Sequence, residues 1–193
     1  MTITEGKFFF VKNLKNLYSI EEIIYYYKII LSEVFERNKL QLALCPNSIL
    51  KKSECTFLKR AVKNLLVQRP IQYIIGKAFF RSLTLTVNEN VLIPRQETEE
   101  LVDWIIEDFR AISAKKNILD IGTGSGCIAI SLAKELKKNV VYALDNDIII
   151  LDLAKQNAKN SGVSVNFFKK DINFLISLNL KIDIIVSNPP YVL

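Results

Sequence analysis

The stretch Asp120-Ile121-Gly122-Thr123-Gly124-Ser125-Gly126 places glycine at three alternate positions, between a short apolar run and a helical pattern. Glycine there lets the backbone turn tightly and approach a ligand closely. The amides that open the following helix can meet a carboxylate or a phosphate. A dinucleotide fingerprint would need glycine at position 127, where Cys127 stands, so the pattern argues against a nicotinamide fold. Asp145 ends a second apolar run, 23 residues after Gly122. A carboxylate in that place can accept from both hydroxyls of a ribose, or it can cap the helix that follows. Asp171 comes just after a third run, where it can meet an adenine edge or remain a loop residue.

After a fourth apolar run stands Asn188-Pro189-Pro190-Tyr191. The two prolines stiffen the loop. The Asn188 side chain and the Pro189 carbonyl can both accept from one planar NH2 group, and Tyr191 offers a ring face to stack on it. An amide nitrogen is a poor nucleophile because its lone pair is delocalised into the carbonyl. Two acceptors aimed at its hydrogens favour the pyramidal form and turn the lone pair towards an electrophile, which is catalysis by positioning and electrostatics. Such chemistry suits a chain with no histidine, which excludes Ser-His-Asp and Cys-His nucleophile pairs and His-ligated zinc. The three cysteines, Cys45, Cys55 and Cys127, show no metal-like spacing. They read as free thiols of a reducing compartment, with no metal site expected.

The elements that must position these residues are legible as periodicity. From residue 117 onward strands alternate with helices: Asn117–Ile121, Val140–Asp145, Val163–Phe168 and Ile182–Ser187 as strands. That alternation implies an α/β fold with a doubly wound parallel sheet, and ligands at the carboxyl ends of its strands. A helix is expected from about Glu97 to Ala111, with Leu101, Trp104, Ile105 and Phe109 inward. Residues 76–96 change period: Leu83, Leu85 and Val87 alternate with polar residues, Asn88-Glu89-Asn90 turns the chain, and Val91-Leu92-Ile93 follows. They read as a β-hairpin linker between a helical domain, 1–75, and a ligand-binding domain, 97–193. In the helical part Ser19-Ile20-Glu21-Glu22 fits a capping box, followed by Ile23, Ile24, Tyr27, Ile30 and Leu31 at helical spacing.

Half of the chain is hydrophobic and 24% is charged, which excludes a disordered chain. No stretch approaches the roughly 18 apolar residues of a membrane span. The N-terminus, with Glu5 and no clean apolar region, does not read as a signal peptide, so a soluble cytoplasmic protein is expected. Residues 1–75 carry 12 Lys/Arg against 6 Asp/Glu, whereas 76–193 carry 14 of each. The net +6 therefore sits in the helical part, either as a solvated surface or as a docking face for an acidic protein or for RNA.

The glycine turn, the acid after the second parallel strand and Asn188-Pro189-Pro190-Tyr191 resemble the class I methyltransferases that act on planar amino groups. Arg69-Pro70-Ile71-Gln72-Tyr73-Ile74-Ile75-Gly76 and Leu92-Ile93-Pro94-Arg95-Gln96-Glu97-Thr98-Glu99-Glu100 narrow the resemblance to the release factor glutamine methyltransferases. The similarity spans about residues 69–191, with a helical N-terminal domain before it. It implies N5-methylation, with S-adenosylmethionine as cofactor, of the glutamine in the Gly-Gly-Gln loop of peptide-chain release factors, by a cytoplasmic monomer with no nucleic-acid substrate. It assigns the cofactor to Gly122, Thr123, Gly124, Ser125, Gly126, Asp145, Asp171, Ile172 and Asn188. It assigns the substrate amide to Asn188, Pro189, Pro190 and Tyr191, with Arg95 and Glu97 lining the groove; Glu97 can instead simply favour its own helix dipole. Gln96 stands where the family usually has proline, and Ile172 where an aromatic residue is frequent. Ribosomal-protein glutamine methylation, adenine-N6 methylation of nucleic acid and a non-catalytic remnant are the alternatives. The family's sheet continues past a fourth strand, whereas this chain stops at Leu193. The expectation is a C-terminally truncated domain with an exposed apolar edge and marginal stability.

Overall fold

The computed structural model describes residues 1–172 and 181–189. The chain forms two units, Met1–Ile75 and Gly76–Leu193.

The first unit is helical: α1 (Ile3–Leu14), α2 (Ile20–Glu33), α3 (Lys39–Leu44), α4 (Lys52–Leu66) and the short α5 (Ile71–Ile75). The Ser19 hydroxyl accepts from the Glu22 amide at 3.2 Å, and the Glu22 carboxylate accepts from the Ser19 amide at 3.0 Å. Two otherwise unpaired amides are thereby satisfied at the start of α2. The residues α2 turns inward, Ile23, Tyr27, Ile30 and Leu31, meet Phe10, Leu14, Leu58 and Leu65 in one core. Tyr27 is buried and its hydroxyl donates to the Ile3 carbonyl at 2.7 Å. Of the three successive tyrosines, Tyr25 is at the exposed end of this packing.

The second unit begins with a hairpin, β1 (Lys77–Phe80) and β2 (Leu83–Thr86), then α6 (Gln96–Arg110). It continues β3 (Asn117–Ile121), α7 (Cys127–Glu135), β4 (Val140–Asp145), α8 (Ile148–Asn160), β5 (Asn166–Lys169) and β6 (Ile184–Ser187). The four later strands form a parallel sheet in the order β5-β4-β3-β6. Ile118, Leu119 and Asp120 of β3 are all buried, as a central parallel strand covered on both faces requires. On β6 Val186 is buried and Ile185 is 65% exposed, so that strand is covered on one face only.

The structure corrects two sequence expectations here. β2 pairs with Lys77–Phe80, not with Val91–Ile93. The turn falls at Arg81-Ser82, where Arg81 takes φ +52°, a conformation that disfavours a side chain. It is held because the Arg81 amide donates to the Glu99 carboxylate at 2.8 Å and the Arg81 guanidinium pairs with Asp103. Asn88–Asn90 does turn the chain, but Val91 and Ile93 enter the core as loop. Phe80, Leu83 and Leu85 join Val102, Ile118 and Ile130 in the core of this unit, so the hairpin is built into it rather than free between two domains. Trp104, expected inward, is 67% exposed. The buried face of α6 runs through Thr98, Val102 and Ile106, and position 104 lies on the opposite side of that stripe.

Candidate active site

Because the sheet is parallel, β3, β4, β5 and β6 all end at one edge. Ile121 is in register with Leu144 on β4 and with Ser187 on β6, and Asp145 with Lys169 on β5. One residue further on β3 begins the glycine turn, and one residue further on β6 is Asn188. The chain leaves β3 for β4 on one side and returns to β6 on the other, so the switch point of the sheet lies between the glycine turn and Asn188. The Ser187 hydroxyl ties the two ends together by donating to the Ile121 carbonyl at 2.8 Å.

The glycine turn is held by its own backbone and by buried carboxylates. The Gly122 and Thr123 amides donate to the Leu144 carbonyl at 2.9 and 3.0 Å, and the Gly126 amide to Thr123 at 2.9 Å. The Gly124 amide donates to Asp145 Oδ2 at 3.1 Å. Gly126 sits at φ +83° and a Cβ there would stand 2.9 Å from Ile130 Cδ1, so only glycine fits this N-terminus of α7. At Gly124 a Cβ would meet nothing within 4 Å, which leaves open space beside the turn.

Asp145 Oδ1 accepts from the Asn146 amide at 2.9 Å. The cap of α8 is instead Asp147, whose Oδ1 accepts from the Ile149 amide at 2.8 Å. Asp145 Oδ1 also accepts from the Asp147 amide at 3.4 Å, so it is Oδ2, bonded to the Gly124 amide, that keeps a lone pair for a ribose hydroxyl. Asp120 was read in the sequence only as part of the motif. It is fully buried; its Oδ2 accepts from the Thr123 hydroxyl at 2.7 Å, and its Oδ1 has no hydrogen-bond partner. Burial pushes its pKa up to about 6, while the Thr123 hydroxyl and the Ala129 amide at the start of α7 pull it down in part. A buried carboxylate with an unpaired oxygen is costly, and the negative charge it carries when ionised favours a cation near the turn. The buried Asp120 carboxylate, the open space at the turn and the Asp145 carboxylate at the end of β4 together fit a cofactor with an ammonium and a ribose.

At the other end, Asn188 Nδ2 donates to the hydroxyl of buried Thr98 at 2.9 Å. Asn188, Ser187, Arg95, Glu97, Thr98, Leu92 and Leu101 line one cleft of about 590 Å3. The structure thus brings Arg95 and Glu97 together with Asn188. It adds Thr98, for which the sequence held no signal beyond its place in the helix. Pro189 is exposed beside Asn188. Asp171 follows β5 by two residues, and Ile172 is exposed. Pro190 and Tyr191 lie outside the described residues. Among the described residues no cluster of carboxylates or cysteines could hold a metal ion, and no helix is long and apolar enough to cross a membrane.

Residues 12–76 match the PrmC N-terminal domain and residues 97–192 match the Methyltransferase small domain. A release factor glutamine methyltransferase of Flavobacterium psychrophilum is 45% identical over 185 residues, covering 95% of this chain and 65% of the relative. Its counterpart in Streptococcus pneumoniae is 44% identical over 144 residues, covering 75% of this chain and 50% of the relative. That of Bacillus subtilis is 41% identical over 161 residues, covering 81% and 55%. The chain spans between half and two thirds of the length of these curated relatives.

Proposed function

This chain belongs to the release factor glutamine methyltransferase family. On that premise we propose that it methylates, from S-adenosylmethionine, the side-chain nitrogen of the glutamine in the Gly-Gly-Gln motif of a peptide-chain release factor. The observation that carries the reading is the adjacency of Asn188 and the glycine turn at the switch point, set by the pairing of Ile121 with Ser187.

Bound S-adenosylmethionine supplies a methyl group activated by its sulfonium. The chain's residues supply the place and the orientation. Gly122 to Gly126 would let the backbone lie against the cofactor, the Asp120 carboxylate would favour its ammonium electrostatically, and Asp145 would accept from its ribose hydroxyls. Asp171 and Ile172 flank the adenine from the end of β5. Asn188 Oδ1 and the Pro189 carbonyl accept from the two hydrogens of the substrate amide and hold its lone pair towards the methyl group. The family resemblance also gives Pro190 and Tyr191 to that amide. Thr98, holding Asn188 Nδ2, sets the rotamer from which Oδ1 faces the substrate. Arg95 and Glu97 line the approach of the release factor. The chain acts as a cytoplasmic monomer, its substrate a protein and not a nucleic acid. Its basic helical unit docks the release factor. Mass spectrometry of a release factor after incubation with the chain and S-adenosylmethionine tests the reading: one added methyl on the Gly-Gly-Gln glutamine is expected, and an unmodified peptide would refute it.

A further inference from the structure

Asn157 stands in a polar run of α8, Lys155-Gln156-Asn157, yet it is 1% exposed. Its Oδ1 accepts from the Thr86 amide at 2.8 Å. Its Nδ2 donates to the Thr86 carbonyl at 2.9 Å and to the Ser125 carbonyl at 2.9 Å. The side chain thus pairs with β2 as a neighbouring strand would, and with its remaining N–H it grips the glycine turn. The Ser125 carbonyl belongs to the peptide unit whose amide is that of Gly126, and that amide donates to Thr123 at 2.9 Å. Both sides of that peptide unit are therefore fixed. The carboxamide cannot flip, because the reverse orientation sets an oxygen against two carbonyls and an NH2 against an N–H.

We infer that Asn157 is a positioning residue for the cofactor half of the site, locking the glycine turn to the hairpin in its ligand-ready shape. The inference rests on the reading that this turn binds S-adenosylmethionine. Without the carboxamide, the Thr86 amide and the Thr86 and Ser125 carbonyls lose a partner in the interior. An orphaned buried group costs about 1–3 kcal/mol. The segment with least to lose by moving towards water is the turn, which borders open space. Moving it displaces the amides and the Asp145 contact that face the ligand.

Three proteins decide the matter: the wild-type chain, Asn157→Asp, and Leu151→Ala, a cavity in the same helix that leaves the three Asn157 hydrogen bonds in place. Asn157→Asp keeps the acceptor for Thr86 N–H and sets an oxygen against two carbonyls; where it fails to fold, Asn157→Ala takes its place. S-adenosylmethionine affinity and amide hydrogen exchange are measured well below each melting temperature. The expected result is an affinity about tenfold or more weaker in the Asn157 variant. Its exchange is faster at Thr86, Gly124 and Gly126, while Leu151→Ala, though destabilised, changes neither by more than about twofold. Unchanged exchange at the turn in the Asn157 variant, or an equal effect of Leu151→Ala, overturns the inference. A wild-type chain that binds no S-adenosylmethionine refutes the functional reading instead, and the exchange comparison alone then judges Asn157.

Discussion

The two halves of the site are built by opposite means. Around the glycine turn the side chains that matter, Asp120, Thr123, Ser125, Asp145 and Asn157, are all buried, and hydrogen bonds fix the backbone between them. At the Asn188 end Arg95, Glu97, Ser187 and Pro189 are exposed, and among the described residues it is Thr98 that anchors the asparagine side chain. The contrast teaches that the half for a small ligand is preorganised, so its binding spends little on ordering. The half proposed for a protein substrate is open.

If burial preorganises the cofactor half, the most damaging change strikes its tightest point. Gly126→Val places a β-branched side chain at φ +83°, against Ile130 and Ala154. We expect a loss of about 3–5 kcal/mol of stability together with cofactor binding. Thermal denaturation and calorimetry measure the two, and a variant that melts and binds like wild type would contradict the packing described.

Asp120→Asn separates binding from stability. A carboxyl whose folded pKa is raised from 3.8 to about 6 holds its proton longer in the folded chain. Stability from this group therefore falls as pH rises between those values, and the cost is fully present above pH 6. At pH 8 the asparagine variant should melt higher than wild type yet bind S-adenosylmethionine about tenfold or more weakly. Wild-type affinity should itself rise with pH through about 6. Melting curves and titrations at pH 5 and 8 check both signs, and weaker binding with no gain in stability would remove the carboxylate from the ammonium site.

On the open side the expected effect is smaller. Thr98→Val removes the partner of Asn188 Nδ2 while keeping the shape. It should lower kcat about fivefold, the worth of one hydrogen bond of roughly 1 kcal/mol, without altering cofactor affinity, and Thr98→Ser should restore it. Steady-state kinetics in which valine and serine behave alike would show that packing, not the hydroxyl, matters at position 98.

The sequence made visible what is local. Three alternate glycines after an apolar run mark a turn before a helix wherever they occur, and Asn188-Pro189 at a strand end marks a stiff loop. That the strands run parallel follows from their alternation with helices. What escaped is non-local. Asn157 lies in a run of polar residues, and its partners are 71 and 32 residues away, so nothing nearby marks it as buried. The hairpin turn at Arg81-Ser82 depends on Glu99, 18 residues on. The more turn-like Asn88–Asn90 therefore drew the expectation to the wrong place. The charge state of Asp120 depends on complete burial, which its composition does not reveal.

The most direct test of the account pairs two readings on Asn188→Ala: methylation of a release factor's Gly-Gly-Gln glutamine by mass spectrometry, and S-adenosylmethionine affinity by calorimetry. Methyl transfer should fall by about a hundredfold or more, far more than cofactor affinity. Transfer at the wild-type rate would contradict the claim that this asparagine holds the nitrogen that receives the methyl group.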